Sequence, residues 1–96
     1  MSQVVWLAEA IEDIARLHHF LEANNPEAAV RAAHVILNGA EQLVAVPEIG
    51  KPMADGTARR ELVLAFGGGA YVLRYILEHP AKAVIIRVWH SREDRL

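Results

Sequence analysis

The chain has 96 residues, with ten basic and twelve acidic side chains, no cysteine and a hydrophobic fraction of 53%. A chain of this length is predicted to form a single domain, residues 1–96, without disulfides or thiolate chemistry. The net charge of −2 argues against general or sequence-specific DNA binding by the chain itself, and no apolar run approaches the ~20 residues of a membrane span, so we expect a cytoplasmic protein without membrane contact.

The charged residues are unevenly distributed along the chain, and the apolar fraction is high. Residues 1–48 contain two basic and seven acidic side chains, whereas residues 49–96 contain eight basic and five acidic ones. The second half is therefore expected to carry a localised anion-binding face. The high apolar fraction predicts either a rich core or an apolar surface that serves another protein.

The beginning of the chain predicts an amphipathic helix. Residues 3–6 are apolar and fit either an edge strand or the approach to a helix. The following apolar residues recur every three to four positions, with acidic residues mostly on the other side. The predicted buried stripe is Leu7, Ile11, Ile14, Leu17 or His18, and Leu21.

A second helix is predicted directly after a break at Asn24, Asn25 and Pro26. Asn24 is expected to form a left-handed cap, Asn25 to cap the next helix, and Pro26 to take its first position. So short a connection predicts an antiparallel helical hairpin. The predicted buried stripe of this helix is Val30, Ala33, Leu37, Ala40 and Val44, flanked by Ile36 and Leu43.

The rest of the chain predicts a loop and a sheet. Residues 46–57 are rich in proline and glycine and lack periodicity, which indicates a loop. Residues 59–90 contain three alternating runs separated by turn signals, which indicates an antiparallel meander. The sequence therefore predicts an α+β two-layer fold, a helical hairpin packed on a three- to four-stranded antiparallel sheet. The sheet face toward the helices is expected to contain Leu62, Leu64, Phe66, Leu73, Tyr75, Leu77, Val84, Ile86 and Val88.

The other sheet face is predicted to carry a row of charges. If residues 67–68 form a two-residue turn with positive φ, Glu61 lies opposite Arg74. A loop at residues 79–82 places Arg74 opposite Arg87. Because one carboxylate cannot satisfy two guanidinium groups, the surplus positive charge is expected to remain available to a partner.

The histidines offer one candidate site. His18 and His19 are adjacent on a helix and point about 100° apart, so no metal site is predicted there. His90 lies where strand pairing ends. It fits either a strand-end residue held by local charges or a contact or proton-transfer group in a basic cleft.

Four short motifs, in this order and spacing, resemble the ParE branch of the RelE/ParE toxin superfamily. They are N-P-x-A-A at the start of the second helix, P-x-x-G-K-P in the loop, R-E-L-V in the first run of the meander, and V-x-H-x-R-E-D-R at residues 88–95. The resemblance covers nearly the whole chain. It implies a toxin of a type II toxin–antitoxin system, without cofactor or metal, held inactive in a hetero-oligomer with a ParD-like antitoxin.

The resemblance also implies a choice between two activities. RelE-like members cut messenger RNA on the ribosome with basic residues and a C-terminal tyrosine or histidine, whereas ParE-like members poison DNA gyrase. Here Lys51 stands without a lysine cluster, and no tyrosine follows His90. We therefore expect a noncatalytic gyrase poison, with an mRNA endonuclease, or an inactive toxin that still binds antitoxin, as the alternatives.

The expected site residues form two groups. Target or antitoxin contacts are expected from Arg60, Arg74, Arg87, Trp89, His90 and Arg92. An apolar groove for the antitoxin is expected at Leu17, Leu21 and Leu37.

Overall fold

The structure, a computed structural model that describes residues 3–93, has two helices packed on one five-stranded sheet. The α+β two-layer prediction is confirmed. The elements in chain order are β1 (Gln3–Trp6), α1 (Ala8–Asn24), α2 (Pro26–Ala45), β2 (Lys51–Pro52), β3 (Arg59–Phe66), β4 (Gly69–His79) and β5 (Lys82–His90).

The sheet order is β1-β5-β4-β3-β2, and β1 runs parallel to β5. Residues 3–6 therefore form an edge strand, which settles one alternative that the sequence left open. The prediction of an antiparallel sheet with three to four strands is wrong in two respects: β1 makes the sheet mixed, and β2 adds a fifth strand inside the predicted loop. No helix in the described part of the chain is long and apolar enough to span a membrane.

The two helices meet at Asn25. Its side-chain oxygen accepts a hydrogen bond from the Ala28 N–H at 3.1 Å, and Pro26 takes the first position of α2, as predicted. The left-handed cap predicted at Asn24 is wrong. Asn24 is the last residue of α1, and the extended Asn25 ends one helix and begins the next.

The predicted buried stripes of both helices are partly wrong. On α1, Ile11 is 56% exposed, while the charged Asp13 is buried beside Leu17. On α2, Val30, Leu37 and Val44 are exposed. The stripe that packs inward contains mostly small residues, which let the helix approach the sheet closely: Ala28, Ala29, Ala32, Ile36, Gly39, Ala40 and Leu43.

The register of β3, β4 and β5 confirms the predicted charge row, with Glu61 opposite Arg74 and Arg74 opposite Arg87. The turn between β3 and β4 is the predicted two-residue connection, with φ of +61° at Gly67, the position where a type II′ turn places its glycine. The second loop is shorter than predicted, because β4 extends to His79 and β5 begins at Lys82.

The core face of β5 differs from the prediction because of a β-bulge. Tyr75 pairs with Ile85 and Arg74 with Arg87, so Ile86 is an extra residue. As a result Ile85, rather than the predicted Val84 and Ile86, lies in the core cluster.

Candidate functional site

The charge row on the open sheet face is less available than predicted. Nε and Nη2 of Arg74 both donate to Oε2 of Glu61, at 3.0 and 2.7 Å. The guanidinium carbon of Arg74 also lies 4.8 Å from the centre of the Trp89 ring, a cation–π contact. These residues hold one another on the sheet.

Arg87 is bound to Asp13 of α1, so the positive charge that was expected to remain available to a partner is neutralised within the chain. Nε and Nη2 of Arg87 donate to the two carboxylate oxygens of Asp13 at 2.8 and 3.0 Å. The Val88 N–H donates to the same carboxylate at 2.8 Å. This N–H lies beyond Ile85, the last β5 residue paired with β1, so Asp13 takes the place of a neighbouring strand.

Asp13 belongs to a wider ion-pair cluster. Arg16 donates to Asp13 and to Glu93, and Glu93 in turn accepts the His90 N–H at 2.9 Å. Burial raises the pKa of Asp13, but the hydrogen bonds from Arg87, Val88 and Arg16 outweigh burial and leave that pKa below its usual range. The hydrogen bond to Glu93 raises the pKa of Arg16. These pKa directions favour the charged forms of Asp13 and Arg16. The ion pairs of the cluster therefore join α1 to β5 and to the residues that follow β5.

A groove lies beside this cluster, between the second half of α1 and the turn that joins β3 to β4. We call it the α1–β5 groove. Its volume is about 610 Å³. Its lining is mostly apolar, with charged groups at one end: Arg16, Leu17, Phe20, Leu21, Phe66, Gly67, Gly68, Tyr71, His90, Arg92 and Glu93.

His90 is held from both sides at the wall of this groove. Its Nδ1 accepts a hydrogen bond from the Arg92 N–H at 3.2 Å, and its Nε2 lies 3.1 Å from the Phe66 carbonyl oxygen. Since Nδ1 accepts, the ring proton belongs on Nε2, which donates to Phe66. The ring also contacts Tyr71 edge-on, with centroids 5.0 Å apart. Both ring nitrogens of His90 are thus engaged by backbone groups.

The structure brings four of the predicted site residues together in the α1–β5 groove: Leu17, Leu21, His90 and Arg92. Leu37 does not belong with them, because it lies exposed on α2 and does not line this groove. The structure therefore does not place Leu37 in one groove with Leu17 and Leu21, and its contact with the antitoxin stays a prediction.

Arg60 is also separate from the groove. Its Nη1 donates to the carbonyl oxygens of Glu48 and Gly50, at 3.0 and 2.8 Å. The Tyr75 hydroxyl donates to the Pro47 carbonyl at 2.7 Å and accepts from the Gly50 N–H at 2.8 Å. Arg60 and Tyr75 therefore fasten the loop before β2 to the sheet, which gives the P-x-x-G-K-P motif a structural role.

Several residues of the site were missed by sequence reasoning. Asp13 falls on the predicted polar side of α1, and its burial is not marked locally, since its partners Arg87 and Val88 lie more than seventy residues away. Phe20, which is 69% exposed and lines the groove, falls in neither predicted group of site residues. A large aromatic residue on the solvent side of a helix was the available signal.

No group of three or more histidine, aspartate or glutamate side chains in residues 3–93 is placed to hold a metal ion. Asp94 and Arg95 of the closing motif lie outside the described residues.

The fold is shared with a solved structure described as "Chromosomal ParDE TA system from P. aeruginosa". The TM-score is 0.76 at 18% identity, with 94% of this chain and 96% of that chain covered. At this identity the likeness concerns the fold. It places the chain among two-helix, mixed-sheet proteins of this kind.

The sequence comparisons are more specific. Residues 4–95 match the family model described as ParE toxin of type II toxin-antitoxin system, parDE. The chain is 38% identical over 95 residues to Toxin RelE3 of Caulobacter vibrioides, covering 99% of this chain and all of that protein. It is 33% identical over 86 residues to Toxin RelE1 of the same organism, covering 90% of this chain and 89% of that protein. The chain belongs to the ParE toxin family and is the toxin component of a type II toxin–antitoxin system.

Proposed function

We propose that this toxin inhibits growth by poisoning DNA gyrase, without catalysing RNA cleavage, and that a ParD-like antitoxin neutralises it. The contacts of His90 are the main support for gyrase poisoning over RNA cleavage. An RNA-cleaving toxin needs a side chain that exchanges a proton with the reacting ribose or leaving group. The two nitrogens of His90 are engaged by the Phe66 carbonyl and the Arg92 N–H. This arrangement favours a structural role for the ring.

The pairing of the arginines supports the same proposal. Stabilising the charge on a reacting phosphate requires cations that are not already neutralised. Arg74 is bound to Glu61, and Arg87 to Asp13. A protein–protein contact, by contrast, tolerates such internal pairing, because apolar surface supplies most of its free energy.

The second candidate is an mRNA endonuclease. The names of the two Caulobacter relatives, Toxin RelE3 and Toxin RelE1, favour it. In that case the Arg92 guanidinium and His90 would have to act together at the α1–β5 groove. A toxin that has lost activity but still binds its antitoxin is the third alternative, favoured by the net charge of −2.

Induction of the toxin in a bacterial host distinguishes these functions. Gyrase poisoning should trigger the DNA-damage response and filamentation while transcripts stay intact. The purified toxin should also trap gyrase on cleaved DNA. Cleaved transcripts with DNA synthesis intact would contradict the proposal, and the absence of any growth defect would indicate the inactive form.

The His90→Gln variant is the matched test of the mechanism. Glutamine keeps a neutral side chain with one donor and one acceptor but cannot transfer a proton near neutral pH. Under the gyrase proposal we expect toxicity to persist. Loss of toxicity in a variant that keeps its thermal midpoint would favour the endonuclease instead.

The α1–β5 groove is the surface proposed for the antitoxin. It combines apolar walls at Leu17, Leu21 and Phe66 with the Arg92 guanidinium at its end. An antitoxin segment that carries an apolar side chain followed by a carboxylate would match both features. Such a segment would order on binding.

A further inference from the structure

A stripe of apolar side chains on the outer side of α2 is left uncovered by residues 3–93. Val30, Leu37 and Val44 are 56%, 56% and 41% exposed. They are spaced seven residues apart, so they lie along one line of the helix. A different side of α2, which includes Ile36 and Leu43, packs into the core. The helix therefore has two apolar faces, and the folded chain uses one of them.

The uncovered face extends toward α1. A shallow groove of about 310 Å³ separates the helices, with Ala33 on the α2 side and Ile11 on the α1 side. Ile11 is itself 56% exposed. Ala33 is also about one helical turn from both Val30 and Leu37, so the exposed apolar surface extends from the stripe toward this groove.

We propose that this stripe binds the same stripe of a second copy of the chain, with the two α2 helices antiparallel about a two-fold axis at Leu37. Val30 precedes Leu37 by seven residues and Val44 follows it by seven. Antiparallel pairing therefore stacks Leu37 on Leu37 of the second copy and Val30 on Val44 of the second copy. The spacing is self-complementary, as a two-fold interface requires.

The charged flank of the stripe has the same symmetry. Arg31, His34 and Glu41 are exposed, and neither Arg31 nor Glu41 forms an ion pair with another residue in the described range 3–93. Within one copy, Arg31 and Glu41 lie about 15 Å apart along the helix. Across the axis, Glu41 comes within one turn of both His34 and Arg31. Parallel pairing would instead leave Arg31 of one copy about 15 Å along the axis from Glu41 of the other, too far for an ion pair, which favours the antiparallel arrangement.

Cysteine crosslinking tests the register directly, because the chain contains no cysteine. In the proposed dimer the two Leu37 positions meet at the axis, so Leu37→Cys should form a disulfide-linked dimer under mild oxidation. The two Val30 positions lie about 21 Å apart at 1.5 Å per residue. Val30→Cys alone should therefore stay unlinked, whereas Val30→Cys together with Val44→Cys should link. Efficient linking of Val30→Cys alone, or none at Leu37→Cys, would overturn the proposal.

Sedimentation equilibrium of the full chain, made by cell-free synthesis without antitoxin, measures the association itself. We expect a dimer, and a dissociation constant raised at least about tenfold by Leu37→Glu, because two carboxylates would meet at the axis. Val63→Glu is the matched control, since Val63 is 63% exposed on β3. It should leave the dimer unchanged. A monomeric wild-type chain, or equal weakening by both variants, would overturn the proposal.

Charge exchange and antitoxin binding complete the test. Glu41→Lys should weaken the dimer, and adding Arg31→Glu should restore it, because the pair is then reversed. If Leu37→Glu instead abolishes antitoxin binding while the wild-type chain is monomeric, the stripe is an antitoxin surface and the dimer proposal fails. Growth inhibition is measured separately, so failure of the dimer proposal leaves the gyrase proposal standing.

Discussion

Asp13 accepts hydrogen bonds from the side chains of Arg16 and Arg87 and from the Val88 N–H while only 2% exposed. A carboxylate this deeply buried is stable only when its lone pairs are satisfied, and here every donor comes from a group on or beside β5 or one turn along α1. The contact between α1 and β5 therefore depends on one charged side chain rather than on apolar packing alone.

We expect Asp13→Asn to lower the free energy of unfolding by roughly 1.5–3 kcal/mol, the range for hydrogen bonds to a charged group. The amide cannot accept from all of these donors and introduces two unwanted N–H groups. Denaturant titration measures the loss, with Glu12→Gln as the control on the exposed side of α1. A loss no larger than that of the control would show that Arg16 and Arg87 find other partners.

The same residue predicts an acid-sensitive stability. The pKa of Asp13 is lower in the folded chain than its ordinary value of 3.8. The stabilisation is therefore present above about pH 4 and is lost as the pH falls through the lower, folded pKa. Glu93 acts in the same direction, since burial raises its pKa and the hydrogen bonds from Arg16 and His90 outweigh that effect. Unfolding free energy measured from pH 6 down to about pH 3 should fall less steeply in Asp13→Asn than in the wild type.

At the scale of elements, the loop before β2 is held by one buried hydroxyl. The Tyr75 hydroxyl bonds to Pro47 and Gly50, and a Cβ at Gly50 would lie 2.6 Å from that oxygen. The glycine is required here because the loop backbone approaches the tyrosine ring so closely.

Tyr75→Phe should therefore destabilise the protein by about 1–3 kcal/mol, because a buried N–H and a buried carbonyl lose their partner. Tyr71→Phe is a matched control. Tyr71 is buried to a similar extent, and its hydroxyl makes no hydrogen bond with the rest of the described chain. Thermal unfolding of both variants checks the prediction, which fails if the two midpoints fall equally.

The strand pairing could be predicted because local rules decide it. A two-residue turn fixes the register of β3 and β4, so Glu61 opposite Arg74 followed from the chain itself. The bulge in β5 could not be predicted. The run Ala83–Ile86 is apolar at every position, so alternation does not show which residue is extra.

The helix faces could be predicted only in part. Helix α2 carries two apolar stripes at helical spacing, and the sequence alone does not say which one meets the sheet. The choice of Val30 and Leu37 was wrong because small residues such as Ala32 allow closer packing than large ones. The hydrogen bonds to Asp13 depend on where β1 ends beside β5. That position is set by tertiary packing, which the local sequence does not show.

For the molecule as a whole, Arg92 and Arg87 differ in role: Arg92 is available for binding, and Arg87 stabilises the fold. Arg92 is exposed in the α1–β5 groove and makes no ion pair with residues 3–93, whereas Arg87 holds Asp13. The sequence predicted that both arginines would be available for target or antitoxin contacts. Because Asp13 binds Arg87, the structure restricts that expectation to Arg92.

Arg92→Ala should change the unfolding free energy by less than about 0.5 kcal/mol while weakening antitoxin binding or toxicity. Arg87→Ala should destabilise the fold, since it removes two donors from a buried carboxylate. Calorimetry and titration with the antitoxin distinguish the two effects. Unchanged antitoxin affinity and toxicity in Arg92→Ala would leave this residue as ordinary surface.

The pairing of β1 with β5 has a consequence for synthesis on the ribosome. Residues 3–6 are made early, yet they pair with residues 82–85, and Asp13 binds Arg87 across 74 positions. Contacts of such sequence separation form slowly and only after both partners exist. The face of α1 that packs on β5 must therefore stay uncovered until β5 has left the ribosome. The α1–β5 groove is therefore completed last, and an antitoxin that binds there, as proposed, would have time to meet the nascent chain.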